Sequence, residues 1–189
     1  MKLLGIACSP RPQGNSAILL EEALKEASTL GWHTEIIYLR KLKFSICTGC
    51  EACSKTGLCV FKDELVELFA RISAAEKVIL AAPVFSMGIN ALAKGMIDRA
   101  QMYWARKYVL NQQNHGARNS GMFFSTAGMD MPGVHDCSVK AVKYFFKMLD
   151  IDYKEELLVT KVDAPGDVLK RPEVLTQARE KVRHFVQSS

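Results

Sequence analysis

The stretch KLLGIACSPRPQGNSAILLEEALKEA, Lys2–Ala27, changes character twice. Its opening, Lys2–Cys8, is a short apolar run of the kind that forms a central strand buried on both faces. SPRPQGNS (Ser9–Ser16) then collects Pro, Gly, Asn and Ser, and reads as a loop. From Ala17 the apolar residues Leu19, Leu20, Ala23, Leu24 and Ala27 recur at intervals of three and four, the period of a helix. Asn15 or Ser16 is the expected N-cap, and Gly31 the expected stop.

The same succession repeats down the chain. Thr34–Leu39 reads as a second strand, and a helix follows over Leu65, Val66, Leu68, Phe69 and Ile72, capped by Asp63. Lys77–Ala82 is a third buried strand, closed by Pro83, and PVFSMGIN is a loop before a helix over Ala91–Tyr103. Residues 104–119 extend that helix and then turn through NQQNHG. Gly121–Ser125 is a fourth strand, TAGMDMPG a loop, Cys137–Leu149 an amphipathic helix, and Tyr153–Thr160 a fifth strand. Pro172 sits near the start of a last helix whose buried stripe is Val174, Ala178, Val182 and Phe185. Buried strands alternating with helices, without hairpin signals, call for an α/β fold: a five-stranded parallel sheet with helices on both faces. Residues 1–189 form one domain, and the segment 44–61 is an elaborated loop inserted after strand 2.

Composition narrows the function. The chain has 189 residues, with 25 Lys and Arg against 20 Asp and Glu, for a formal charge of +5. There is no long basic run and no interleaved aromatic platform, so nucleic acid is not an expected partner. An anionic cofactor or an acidic protein partner accounts for the charge more economically. No run approaches the ~20 apolar residues of a membrane span. MKLLGIACS is too short in its apolar part for a secretory signal and reads as a strand. A cytoplasmic location is therefore expected, where disulfides are not.

That bears on the segment ICTGCEACSKTGLCVFKDE, in which Cys47, Cys50, Cys53 and Cys59 follow the spacing C-x2-C-x2-C-x5-C. Thiolates this dense usually hold a metal or an iron–sulfur cluster. A structural zinc site more often splits its ligands into two distant pairs. Three cysteines at successive x2 spacing with a fourth just beyond resemble the run that wraps a [4Fe–4S] cube in ferredoxins, although Val60 stands where bacterial ferredoxins have proline. Zinc and unliganded or redox-active thiols remain as alternatives. Cys8 and Cys137 stand apart and are expected to be small buried side chains.

Open parallel sheets bind ligands beyond the carboxyl ends of their strands, where strand order reverses. Three loops reach that edge: SPRPQGNS, APVFSMGIN and STAGMD. The first combines Ser9, Arg11, Asn15 and Ser16 with a helix N-terminus, which suits a phosphate. It is neither a Walker A loop nor GxGxxG. The second places Pro83, Val84 and Phe85 where a flat ring could lie, and the third offers Ser125, Thr126 and Gly128, small enough for close backbone approach.

Taken together, SPRPQGNS, the cysteine loop and APVFSMGINALAKGMIDR resemble the iron–sulfur flavoproteins, within the NADPH-dependent FMN reductase group. The resemblance runs from Lys2 to about Gly128. It implies a flavodoxin-like, doubly wound sheet and two cofactors, FMN and a [4Fe–4S] cluster. It also implies that Ser9, Arg11, Asn15 and Ser16 hold the FMN phosphate. Pro83, Val84, Phe85 and Ser86 would line the isoalloxazine, Ser125, Thr126 and Gly128 its other side, and Cys47, Cys50, Cys53 and Cys59 would ligate the cluster. A homodimer or homotetramer, NAD(P)H, and a ferredoxin-type electron donor are the implied partners. Arg40, Lys41 and Lys43, just before the cysteine loop, suit such an acidic donor.

No side chain is expected to act as acid, base or nucleophile, because the cofactors carry the chemistry. His33, His115, His135 and His184 show no ligand spacing. His135–Asp136–Cys137 reads as a helix opening rather than a nucleophile site, and Asp98–Arg99 as an ion pair at a helix end. The alternative reading is an NAD(P)H-dependent FMN or quinone reductase with a structural or zinc-bound cysteine loop. A third is a redox or metal sensor that switches through the same thiols.

Overall fold

The computed structural model describes residues 1–112 and 119–188. β1 (Lys2–Ala7), α1 (Asn15–Thr29) and β2 (His33–Tyr38) come first, then a short helix α2 (Ala52–Thr56) in the cysteine segment and α3 (Glu64–Ala74). β3 (Lys77–Phe85), β4 (Gly88–Ile89), α4 (Ala91–Arg99) and α5 (Gln101–Tyr108) follow. β5 (Asn119–Thr126), α6 (Asp136–Met148), β6 (Ile151–Val159) and α7 (Pro172–Gln187) complete the chain. The five long strands pair in parallel in the order β2–β1–β3–β5–β6. This is the flavodoxin-like order expected of the doubly wound sheet.

Alternation along each strand sorts the side chains into two cores. Leu4, Ile6, Val78, Leu80, Ala82 and Phe123 pack with residues of α3, α4, α5 and α6 on one face. Leu3, Ala7, Ile79, Ala81, Met122 and Phe124 pack with α1 and α7 on the other. Burying a side chain of the Leu, Ile or Phe type contributes about 1.5–3 kcal/mol, so the three central strands are held from both sides. The stripes read from the sequence on α1 and α7 are buried as expected. No described helix is long and apolar enough to cross a membrane.

Several local expectations need correction. β3 does not stop at Pro83 but runs to Phe85 and turns back into β4, which pairs with it antiparallel. Ser86 and Met87 both lie at positive φ (47° and 65°), the type I′ turn that joins short hairpins. Pro83 is tolerated because β3 has by then passed Ala81, the last residue paired with β1; a proline lacks a ladder N–H and suits a strand whose edge is free. The helix expected over 91–103 is two helices. At Ala100 the bonding tightens, its N–H donating to Ile97 O (3.0 Å), and α5 begins at Gln101.

The N-cap of α1 is Gly14, with Asn15 and Ser16 already helical. Asp63 caps α3 as expected, accepting the Leu65 N–H. Val66 faces solvent rather than the core. Cys8 is buried but Cys137 is exposed, because the inward face of α6 is set by Ser138, Val142, Phe145 and Phe146. Most of the turn read through NQQNHG, with His115, lies outside the described residues.

One glycine fixes how closely α6 approaches the sheet. A Cβ on Gly121 would stand 2.4 Å from Phe146 Cε2 and 2.9 Å from Ile151 Cγ2, at the irregularity where the β5–β6 register shifts. Both neighbours are buried, so neither yields freely. Gly121→Ala is expected to cost about 1–3 kcal/mol, the range for overpacking a filled core. Thermal or urea unfolding checks this, and a variant as stable as the parent would contradict it.

Candidate functional site

The chain steps from β1 outward to β2, then returns to place β3 on the other side of β1. Loops leaving the carboxyl ends of β1 and β3 diverge at that reversal and leave a crevice. A first cleft lies here, about 340 Å³ in volume and lined by Ser9, Arg11, Gly14, Asn15, Pro83, Val84, Phe85, Ser86, Thr126, Gly128, Val162 and Asp163. That volume falls in the range of about 300–1,000 Å³ typical of small-molecule sites.

One end of this cleft is built for an anion. α1 is 15 residues long, has no side-chain cap and carries no acidic residue in its first turn, so the positive end of its dipole is not neutralised locally. Arg11 lines the cleft beside it, and the Arg11 N–H donates to Ser9 Oγ at 3.2 Å. Ser16 Oγ is buried and has no hydrogen-bond partner, an arrangement a protein rarely leaves unmet. Glycine is required at position 14, where a Cβ would stand 2.1 Å from Ser9 Oγ. The other end is flatter and more apolar, with Pro83, Val84 and the part-exposed Phe85 facing Thr126 and Gly128.

Most residues singled out in the three loops meet in this cleft, with two exceptions. Ser125 is wholly buried, and its hydroxyl pairs with His135 Nδ1 at 2.8 Å. Strand alternation turns it away from Thr126, so it supports the loop from below. Burial holds the His135 imidazole below its usual pKa, against the charges of Asp136 and Glu156. Ser16 is likewise buried rather than on the cleft wall.

A fourth loop, after β6, was not anticipated. Arg11 Nη1 donates to Asp163 O at 2.6 Å. Asn15 Nδ2 donates to Ala164 O at 3.0 Å, and Asn15 Oδ1 accepts the Val168 N–H at 3.1 Å. Asn15 is thus a brace between the first loop and residues 163–168. The signal was present in the sequence: DAPGD follows an apolar strand, and in a parallel sheet it must emerge at the same edge as the others.

The second cleft, of about 540 Å³, is lined by Cys47, Cys50, Cys53 and Cys59 together with Phe61, Asp98, Arg99, Met102 and Trp104. All four thiols are free. They are close enough to interact: Cys53 is pushed above its ordinary pKa by burial, partly opposed by a backbone hydrogen bond and reinforced by the charges of Cys47, Cys59 and Cys50. Among the described residues, no three His, Cys, Asp or Glu side chains converge closely enough to hold a single metal ion. The four thiols line one cleft.

Tight backbone turns shape this segment. Gly49 (φ 67°), Glu51 (φ 57°) and Gly57 (φ 71°) are all left-handed, and they flank α2. Arg106 Nε from α5 donates to Gly57 O at 2.6 Å. The segment is anchored at its base by Asp63. Its carboxylate accepts the Ser45 N–H (3.0 Å) and the Leu65 N–H (3.3 Å), and it takes Arg99 in a two-pronged pair, Nη1 to Oδ2 at 2.7 Å and Nη2 to Oδ1 at 3.2 Å. Arg99 therefore pairs with Asp63 across the fold and not with Asp98, which takes Lys94 (2.7 Å).

The sequence profile of the NADPH-dependent FMN reductase family matches residues 1–152. An iron–sulfur flavoprotein of Archaeoglobus fulgidus is 39% identical over 106 residues, covering 56% of this chain and 48% of that one. One from Methanocaldococcus jannaschii is 37% identical over 101 residues, 53% of this chain and 52% of its own length. The chain thus spans about half the length of these curated relatives. An iron–sulfur flavoprotein of Clostridioides difficile aligns over 89% of this chain and 81% of its own, at 27% identity. Among solved structures, an NAD(P)H:quinone oxidoreductase from Methanothermobacter marburgensis superposes with a TM-score of 0.76 at 17% identity, covering 98% and 96% of the two chains. That similarity speaks for the fold.

The Asp63 carboxyl lies below its ordinary pKa: burial alone would raise it, but hydrogen bonds from Arg99, Ser45 and Leu65 outweigh that. Its contribution to stability is fully present above about pH 4–5 and is lost as the pH falls through its lowered folded value. Removing one partner of a buried pair costs about 3–5 kcal/mol; Asp63 keeps 18% of its side chain exposed, which places Asp63→Asn at the lower end. Melting curves should show that variant less stable at pH 7, with the gap closing towards pH 3. A gap that does not change with pH would contradict the pairing.

Proposed function

Because the chain belongs to the NADPH-dependent FMN reductase family, we propose that it is a flavin-dependent oxidoreductase carrying FMN in the first cleft and an iron–sulfur cluster on its four grouped cysteines. The observation that carries this reading is the pairing of two separate, chemically distinct clefts in one chain. The anion end of the first suits a single terminal phosphate, with Ser9, Arg11 and the N-terminus of α1 as its donors and the orphaned Ser16 hydroxyl behind them. Asn15 would act by holding the loop in shape. Pro83–Ser86 on one side and Thr126 and Gly128 on the other suit a flat ring, and Ser125 would serve through His135 and the strand end.

The donor set of the second cleft is four thiols around an open volume. A [4Fe–4S] cube takes one thiolate at each of four separate irons, whereas zinc draws its ligands to one centre at about 2.3 Å. The spacing of Cys47, Cys50, Cys53 and Cys59, C-x2-C-x2-C-x5-C, favours the cube. When bound, FMN supplies two-electron and one-electron exchange and the cluster one-electron exchange, so the pair suits conversion between hydride and single-electron donors.

NAD(P)H as the two-electron partner follows from the family. A ferredoxin-type donor is suggested by Arg40 and Lys41, whose charged groups stand 4.5 and 5.1 Å from the Tyr38 ring centroid, with Lys43 two residues further on. Ile46, Leu58 and Val60 present exposed apolar surface on the cysteine segment, in keeping with a homodimer or homotetramer.

Two variants separate the clefts. Arg11→Ala is expected to weaken FMN binding at least tenfold, read by quenching of flavin fluorescence, while iron content is kept. Cys50→Ala should lose iron and keep FMN, and its flavin should still be reduced by NAD(P)H but slowly by reduced ferredoxin in stopped flow. Ferredoxin-driven reduction at the wild-type rate in an iron-free Cys50→Ala protein would take the cluster off the electron path. Loss of both cofactors would make the cysteine segment a folding element.

A further inference from the structure

Arg99 is more completely enclosed than an ordinary helix-end ion pair requires. Only 1% of its side chain is exposed, yet it borders the cysteine cleft. Besides the two bonds to Asp63, Nη1 donates to Ser45 O at 2.7 Å and Nη2 reaches Phe61 O at 3.4 Å. Those two carbonyls lie two residues before Cys47 and two residues after Cys59. The guanidinium also stands 5.0 Å from the Phe61 ring centroid. Neither the family resemblance nor a simple charge pair accounts for a single side chain gripping both ends of the cysteine segment.

We propose that Arg99 is the positioning residue of the cysteine site: it closes the segment from Ser45 to Phe61 and keeps a fixed positive charge beside Cys59. This rests on the reading of the four thiols as cluster ligands. The closure needs a planar fork with several donors in fixed directions, which arginine has and lysine lacks. The guanidinium stays charged even when buried, and its Nη1 lies 2.7 Å from the Asp63 carboxylate. A cluster on four thiolates carries net negative charge, which grows by one unit on reduction. A buried cation at its edge favours the reduced form and raises the potential, as hydrogen bonds and local charge do at such centres.

The location of Arg99 gives it reach as well. It is the last residue of α4, whose first turn follows directly on the β3–β4 hairpin that carries Phe85 and Ser86. Ile46 and Phe44 pack where Gly95 leaves room, a Cβ there standing 3.3 Å and 3.4 Å from them. The same helix therefore seats the entry to the cysteine segment along its length and clamps both its ends at Arg99.

The test uses Arg99→Gln, Arg99→Lys and the wild type as full chains. In the metal-free, reduced proteins, hydrogen exchange over residues 45–61 should quicken at least tenfold in both variants, while FMN affinity stays within about twofold. After reconstitution with iron and sulfide, Arg99→Gln should hold less cluster, at a lower midpoint potential, and Arg99→Lys should return the potential towards the wild-type value without restoring the slow exchange. If Arg99→Gln does not fold, Asp63→Asn, which leaves the arginine but removes its anchor, carries the exchange measurement. Unchanged exchange over 45–61, or a cluster potential in Arg99→Gln equal to that of the wild type, overturns the assignment. A wild type that takes up no iron, alongside fast exchange in Arg99→Gln, refutes the cluster and supports the clamp.

Discussion

The buried pair between Arg99 and Asp63 is the contact on which the arrangement of the two clefts depends. The segment between β2 and α3 contains one five-residue helix and several left-handed turns, so little of its own hydrogen bonding holds it in place. Asp63 ends it by capping α3 and accepting the Ser45 N–H. Arg99 then ties that carboxylate to the end of α4.

α4 links this base to the sheet. It begins at Asn90, whose side chain caps it by accepting the Ala93 N–H, and nine residues at the usual helical rise span about 13 Å. One end adjoins the hairpin of the first cleft and the other carries Arg99 in the second. The hairpin is itself a product of sheet geometry, since β3 outruns β1 and its free end can fold back as β4. The two clefts thus lie at opposite ends of one helix, the first beside the hairpin that precedes it and the second beside Arg99.

Much of this was legible in the sequence, for physical reasons that can be located. Continuous apolar runs gave the buried strands, because both faces of the sheet are covered, and three-to-four spacing gave the stripes of α1 and α7. Cysteine spacing set four thiols in one short loop, and the fold brings all four to the wall of one cleft. What escaped were features decided by tertiary contacts. Asn15 reads as a cap or a phosphate donor, but its amide is satisfied by Ala164 and Val168, over a hundred residues away. Ser125 lies in the right loop but on the wrong side of the strand, with His135 as its partner. Arg99 invites pairing with its neighbour Asp98, and only the fold brings Asp63 within reach. The β3–β4 hairpin was hidden by Pro83, which reads as a strand end until the shorter neighbouring strand is known.

The central claim is that one chain carries both a flavin and an iron–sulfur cluster. The most direct measurement is quantitative analysis of protein purified under anaerobic conditions: FMN, iron, acid-labile sulfide and zinc per chain, with electron paramagnetic resonance after dithionite reduction. The account predicts one FMN and about four irons with matching sulfide per chain, and a signal from a reduced cluster. Protein holding FMN with zinc, or with no metal at four free thiols, would contradict it.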